Sequence, residues 1–321
     1  MALGEFQLIE RFFTRQRVKR DDVELGVGDD CALLRIPSDA RLAVTMDTLV
    51  EGRHFPQATD PAALGHKALA VNLSDLAAMG AEPAWITLSL SLPSVDEAWL
   101  DAFAGGLFQL AEAHGVQLVG GDTVRGPLAI TLQAHGFIPA NQALRRDGAR
   151  VGDLVYVTGT LGDAGAGLRI ALGELSADGA DGQFLRGRLD RPTPRVAWGL
   201  ALRGLASAAI DVSDGLAADL GHILKASGVG ATLKFADLPV SDALCRRVGE
   251  ARARAFALTA GDDYELCFTA APAQAEAIAA LPFPCTPVGV IEAGEGLRVY
   301  GPDGHRMAVE QAGFDHFGTP P

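Results

Sequence analysis

The apolar residues of this chain fall into blocks whose period switches repeatedly between two and about three and a half, and only a mixed architecture accommodates that switching. Alternation over 41–50, 84–92, 116–119 and 128–138 predicts strands, while the spacing over 62–79 and 96–114 predicts helices. A polar, basic run from Asn141 to Gly152 then interrupts the pattern. Beyond it a second set begins, with strands expected over 154–158, 208–212, 255–258 and 265–269 and a helix over 216–226. The expected fold is α+β, in two mixed domains covering 1–140 and 149–321. At 321 residues, 48% of them hydrophobic, the chain exceeds the size that one core usually serves.

Charge and cysteine usage narrow the function classes. Forty acidic residues outnumber 27 basic ones, and the resulting charge of −13 argues against a nucleic-acid backbone as partner. Anions can still bind if metal ions stand between. Cys31, Cys245, Cys267 and Cys285 are scattered, with no C-x-x-C pair, which fits a reducing, cytoplasmic compartment. Glu5, Glu10 and Arg11 interrupt the apolar residues of the first thirteen positions, so these predict an amphipathic helix and not a signal peptide. No uncharged apolar run reaches the length of roughly 18 residues that a membrane span needs.

The chemistry is carried by aspartates set in apolar or glycine-bearing corners: Gly28-Asp29-Asp30, Thr45-Met46-Asp47, Asn72-Leu73-Ser74-Asp75, Gly120-Gly121-Asp122 and Asp211-Val212-Ser213-Asp214. Taken singly, each is equally at home as a helix cap or a turn residue. Taken together they imply mutual repulsion and desolvation that bound cations would relieve. Oxygen ligands without neighbouring Cys or paired His select a hard cation, and Mg²⁺ in particular works through one or two carboxylates, water and substrate phosphates.

A second feature is the strand, glycine-rich turn and helix from Val157 to Leu168, which could bring backbone amides to a phosphate or serve only as a tight connection. It matches no Walker-type or dinucleotide-binding pattern. Arg145 and Arg146 could clamp a phosphate, His54 follows the Met46-Asp47 strand, Asp262 lies in a Gly-Asp-Asp-Tyr turn, and Phe314 and Phe317 are aromatics in a polar tail.

In order along the chain, G-V-G-D-D-C-A from Gly26, M-D-T-L-V-E-G-R-H-F from Met46, N-L-S-D-L-A-A-M-G from Asn72 and G-G-D-T from Gly120 resemble the thiamine-monophosphate kinases. The resemblance continues through G-T-L-G-D-A-G-A-G-L from Gly159, R-P-T-P-R from Arg191, D-V-S-D-G-L from Asp211, G-D-D-Y-E-L-C-F from Gly261 and the terminal G-F-D-H-F. These kinases belong to the superfamily of aminoimidazole ribonucleotide synthetase-like ATP-binding enzymes. The resemblance implies two domains of that type, a homodimer formed through the first, and Mg²⁺-dependent transfer of the ATP γ-phosphoryl group to thiamine monophosphate in thiamine biosynthesis. It further implies several Mg²⁺ ions on Asp30, Thr45, Met46, Asp47, Asp75, Asp122, Asp211 and Asp214. ATP contacts are implied at Gly121, Asp122, Arg146 and Ser213, and acceptor contacts at His54, Asp262 and Phe317 or Phe314.

Overall fold

A computed structural model describes residues 4–309 of the chain, without the side chains of Glu5 and Phe6. They fall into two units, divided at Leu76/Ala77, Gly80/Ala81 and Ala143/Leu144, so that 77–80 are counted with the second.

The first unit runs α1 (Glu5–Phe13), β1 (Val23–Leu25), β2 (Leu33–Leu34), β3 (Ala40–Val50), α2 (Pro61–Ala78), β4 (Glu82–Leu92), α3 (Glu97–Ala113), β5 (Gln117–Arg125) and β6 (Ala129–Pro139). Its four-stranded sheet has the order β3-β6-β4-β5. The β4/β5 pair is parallel and is joined through α3, as a parallel pair requires a crossover; the other pairs are antiparallel. Register sets one face of the sheet apart. Ile130, Leu132 and Ala134 of β6 lie opposite Leu90, Leu88 and Ile86 of β4, and all six are buried. Their neighbours on β3 are Leu49, Asp47 and Thr45, so these three share that inward face.

Helix α2 is apolar on nearly every side, with Leu64, Ala68, Leu69, Leu73 and Leu76 all buried, the pattern of a helix enclosed by protein. A β-carbon on Gly65 would sit 2.0 Å from the Phe103 carbonyl oxygen, and one on Gly106 would sit 1.8 Å from that of Ala62. The α2 and α3 backbones therefore meet with no side chain between them. Asp96 caps α3 by accepting from the amides of Ala98 and Trp99, at 2.9 and 3.1 Å. Glycine at 120 and 121 does not end β5, which runs on to Arg125 beyond the expected Val119. Parallel pairing with β4 carries it through.

The second unit comprises β7 (Leu154–Thr158), α4 (Asp163–Ala171), α5 (Gly179–Asp190), α6 (Val196–Ala201), β8 (Ala208–Val212), α7 (Leu216–Ser227), β9 (Gly230–Lys234), α8 (Asp242–Val248), α9 (Glu250–Thr259), β10 (Glu265–Ala270), α10 (Ala275–Ala279), β11 (Cys285–Glu292), β12 (Gly296–Tyr300) and β13 (Arg306–Met307). Among the described residues its sheet has seven strands in the order β13-β12-β9-β11-β7-β10-β8. All pairs are antiparallel except β12/β9. Val155, Val157, Ile210, Val212, Leu216, Leu220, Leu233 and Ile291 form its core.

The strand expected over 255–258 is instead the second half of α9. Ala-Phe-Ala-Leu is too short to choose a period by itself. In the longer run the buried Ala253 and Ala257 stand four apart, on one helical face, and the alanines and arginines around them favour a helix.

Adjacent glycines of α3 should respond oppositely to the same change. Gly106→Ala forces two helix backbones apart and should cost about 3 kcal/mol or more in urea unfolding. Gly105, whose β-carbon would meet nothing within 4 Å, should gain up to about 1 kcal/mol as alanine.

Candidate active site

In the first unit, β3 brings Thr45 and Asp47 to its inward face and α2 brings Asp75 to meet them. The Thr45 hydroxyl donates to the Asp75 carboxylate in a short hydrogen bond. Burial, with the Asp75 charge adding to it, pushes the Asp47 carboxyl up to about 6. Two carboxylates held together in partly buried surroundings favour a cation beside them. Met46, between Thr45 and Asp47, turns its side chain to the outer face, where it is 60% exposed. Any part it takes beside Asp47 falls to its backbone. In the same helix Asn72 is fully buried; its amide donates to the Ala68 carbonyl at 3.1 Å, and its own carbonyl oxygen has no hydrogen-bond partner.

The remaining candidates of this unit are placed differently. Asp30 lies exposed between β1 and β2, its amide bonded to the Asp29 carboxylate at 2.8 Å. Asp122 stands opposite Ser89, in the row that continues through Thr131 to Thr48, and strand alternation puts that row on the outer face, away from Asp47. Gly121 must be glycine, because a β-carbon there would lie 1.9 Å from the Leu88 carbonyl oxygen. His54 Nδ1 accepts from the Val50 amide at 3.0 Å, which puts the neutral ring's proton on Nε2. Among the described residues, no three His, Cys, Asp or Glu side chains converge closely enough to hold an ion. Magnesium does not require three. The Asp47 and Asp75 pair with the Thr45 hydroxyl is an all-oxygen set of the size that Mg²⁺ uses when phosphates and water complete its shell.

In the second unit β8 ends on the buried Asp211 and Val212, and the chain turns through Ser213, Asp214 and Gly215 into α7. Asp219, from the first turns of α7, reaches back to accept the amides of Ser213 and Asp214, both at 3.0 Å. Burial, reinforced by the Asp214 charge, raises its carboxyl to about 7, against the pull of these two amides and of Arg146. Arg146 is exposed. Its neighbour Arg145 is engaged by Asp147, at 2.8 and 2.5 Å. The segment Gly261–Tyr264 lies alongside the Ser213 turn. The Asp262 amide donates to the Ser213 carbonyl at 2.8 Å and the Tyr264 amide to that of Val212 at 2.9 Å. Ser213 and Asp262 are thus brought together, and Asp214 adjoins them. Both Asp262 (φ 66°) and Tyr264 (φ 51°) are left-handed, a backbone that costs a side-chain-bearing residue of order 1 kcal/mol and persists where neighbours enforce it. Phe314 and Phe317 lie outside the described residues.

The glycine-rich turn resolves as a packing device. Its helix, α4, begins with the Gly162 and Ala164 amides pointing at the Asp263 carboxylate, at 2.6 and 3.3 Å. The chain's own carboxyl group occupies the place that a phosphate would take. Gly162 and Gly165 are backed so closely by Ala257 and Ala260 that β-carbons would sit 2.6 and 2.3 Å from them. Beside this turn lies a buried ionic group that the sequence does not announce. Glu265 accepts from Thr158 at 2.6 Å, from Arg188 at 2.8 Å and from both ends of the Arg195 guanidinium. Arg195 in turn stacks on Trp198, its carbon centre 4.7 Å from the ring. R-P-T-P-R ends on Arg195, but nothing in that motif shows which acid it meets. Asp219 is hidden at an ordinary helix position, whereas Asp263 and Glu265 stand in the acidic stretch from Gly261 that the sequence singles out, with nothing there to show their partners.

The family described as AIR synthase related protein matches through its N-terminal domain over residues 28–138 and through its C-terminal domain over 150–302. The thiamine-monophosphate kinase of Escherichia coli K12 is 54% identical over 326 residues, covering 100% of both chains. The crystal structure of the thiamine-monophosphate kinase from Stenotrophomonas maltophilia superposes with a TM-score of 0.86 at 51% identity, over 96% of this chain and 99% of that one. AaThiL complexed with AMPPCP and TMP gives a TM-score of 0.80 at 33% identity over 99% of each.

Glu265→Gln leaves two buried guanidinium groups without their anion and should lower unfolding free energy by about 3–5 kcal/mol in denaturant titration. Asp147→Ala, which breaks the exposed pair with Arg145, should leave the unfolding midpoint where it was.

Proposed function

The chain belongs to the thiamine-monophosphate kinases of the AIR synthase related family, and on that premise we propose how its residues transfer the γ-phosphoryl group of ATP to thiamine monophosphate, giving thiamine diphosphate and ADP. An oxygen of the acceptor phosphate forms the new bond to the γ-phosphorus, in line with the bond to ADP that breaks. A phosphate monoester with a second pKa near 6 is already largely dianionic at neutral pH, so no general base is required.

The observation that carries the reading is the juxtaposition of Asp47 and Asp75 with Thr45. Two polyanions cannot approach such a pair unaided. Asp47, Asp75 and the Thr45 hydroxyl would hold Mg²⁺, which would supply positive charge to offset that of the phosphates and of the leaving group. Asp30, the Met46 backbone, Asp122, Asp211 and Asp214 are the further ligands proposed for several ions. Gly121, Asp122, Arg146 and Ser213 are assigned to ATP, Asp219 keeping the Ser213 and Asp214 amides in place. His54, with its proton on Nε2, can donate to an acceptor oxygen. Asp262 offers a carboxylate to the cationic thiazolium, and Phe317 or Phe314 a ring to stack on the acceptor. Residues 1–140 thus serve as the metal- and ATP-binding domain, and 149–321 complete the nucleotide and acceptor sites.

The outer face of the first unit's sheet supports a homodimer. Leu42, Val44 and Met46 stand in one row on the edge strand β3, at 38, 52 and 60% exposure. A contiguous apolar row of this kind is covered at least cost by a second copy of itself. No described helix is long and apolar enough to cross a membrane, and all four cysteines are free, in keeping with a cytoplasmic enzyme.

ADP release measured with and without thiamine monophosphate tests the activity directly. Acceptor-dependent ADP, matched one to one by thiamine diphosphate, is expected; acceptor-independent ADP would make the chain a phosphohydrolase instead. Asp47→Asn should lower kcat by about 100-fold or more at saturating Mg²⁺, and near-normal turnover would remove Asp47 from the metal site. In sedimentation velocity, Val44→Asp should convert a dimer into a folded monomer.

A further inference from the structure

Asp263 has no part in the chemistry assigned above, yet it stands between the segment that presents Asp262 and the start of α4. It is 1% exposed. Its two carboxylate oxygens are used separately, Oδ2 by the Gly162 amide at 2.6 Å and Oδ1 by the Ala164 amide at 3.3 Å. The residues on either side of it are the two left-handed ones, Asp262 and Tyr264. Their amides are tied to the Ser213 and Val212 carbonyls, and the Tyr264 hydroxyl donates to the Asp262 carboxylate at 3.0 Å. At Gly261 the chain passes so near the Ser213 turn that a β-carbon would lie 2.2 Å from the Ser213 carbonyl oxygen. The segment is therefore held from one side by the end of β8 and from the other by the helix that Asp263 grips.

We propose that Asp263 is a positioning residue for the acceptor: by anchoring the Gly261–Tyr264 segment to the first amides of α4, it fixes the left-handed backbone from which Asp262 meets thiamine monophosphate. The inference rests on the assignment of Asp262 to the acceptor. Because each oxygen of Asp263 faces a different amide, an asparagine must turn its NH₂ group toward one of them. Asp263→Asn thus removes one tether without changing the volume of the side chain.

The test is steady-state kinetics of the full-length protein, with each variant's fold checked by its melting temperature. Asp263→Asn should raise KM for thiamine monophosphate by about tenfold, with KM for ATP within about twofold of the parent. In an Asp262→Ala background the same change should raise KM for thiamine monophosphate no further, since the residue through which Asp263 acts is gone. Equal effects in both backgrounds, or a loss of melting temperature and kcat with the acceptor KM unmoved, would overturn the proposal and leave Asp263 as a support of the fold alone. If Asp263→Asn does not fold, Asp263→Glu, which keeps the carboxyl group and its two oxygens but lengthens the reach, carries the same expectation in the same two backgrounds. Failure of the underlying assignment has a different signature. An unaltered chain that turns over thiamine monophosphate, together with an Asp262→Ala variant of unchanged acceptor KM, overturns the role of Asp262 and the inference with it.

Discussion

Negative charge placed where water is scarce is the condition that the rest of this structure answers. A buried carboxylate is tolerated only when amides, guanidinium groups or cations surround it. The second unit uses the first two kinds of partner. Asp219 takes two backbone amides of the Ser213 turn, Asp263 takes two from the start of α4, and Glu265 takes two arginines and a threonine hydroxyl. The Asp47 and Asp75 pair of the first unit is different in kind. There two acids stand together: the Thr45 hydroxyl donates to Asp75, and burial, with the Asp75 charge adding to it, raises the Asp47 carboxyl. Asp219, Asp263 and Glu265, each held from within its own unit, thus stand apart from the Asp47 and Asp75 pair, on which the proposed metal site rests.

The buried acids also hold candidate site residues in place. Ser213 and Asp214 leave the end of a fully buried strand, and their amides are held before any ligand arrives. Helix α2, which carries Asp75, meets α3 backbone to backbone. Preorganisation of this sort lets binding energy be spent on the transferring group and not on ordering the site.

Much of this was legible in the sequence, because the elements that matter most have strong periods. The strands ending at Val50 and Val212 and the helix bearing Asp75 follow directly from hydrophobic spacing, and the ordered motifs led to the family. Three things were not legible. A four-residue alternation at 255–258 carries no information about period, and the helix begins upstream of it. The glycines from 159 to 167 look like a phosphate loop because phosphate contact and close packing both demand a missing side chain, and only the position of Asp263, about a hundred residues later, decides between them. The face on which Asp122 lies depends on β5 continuing past its glycines, which is set by pairing with β4 and not by local preference.

The left-handed backbone at Asp262 and Tyr264 has a consequence for the order in which the molecule matures. Neither conformation is favoured in a free chain, and both depend on carbonyls of Val212 and Ser213 that lie far upstream. They can be imposed only after β8 and β10 have found their register, a long-range pairing that closes a large loop of chain. During synthesis, the acidic turn of the first half can take shape while the Asp262 turn of the second is still unset. The backbone that presents Asp262 is thus among the last parts of the nascent protein to settle.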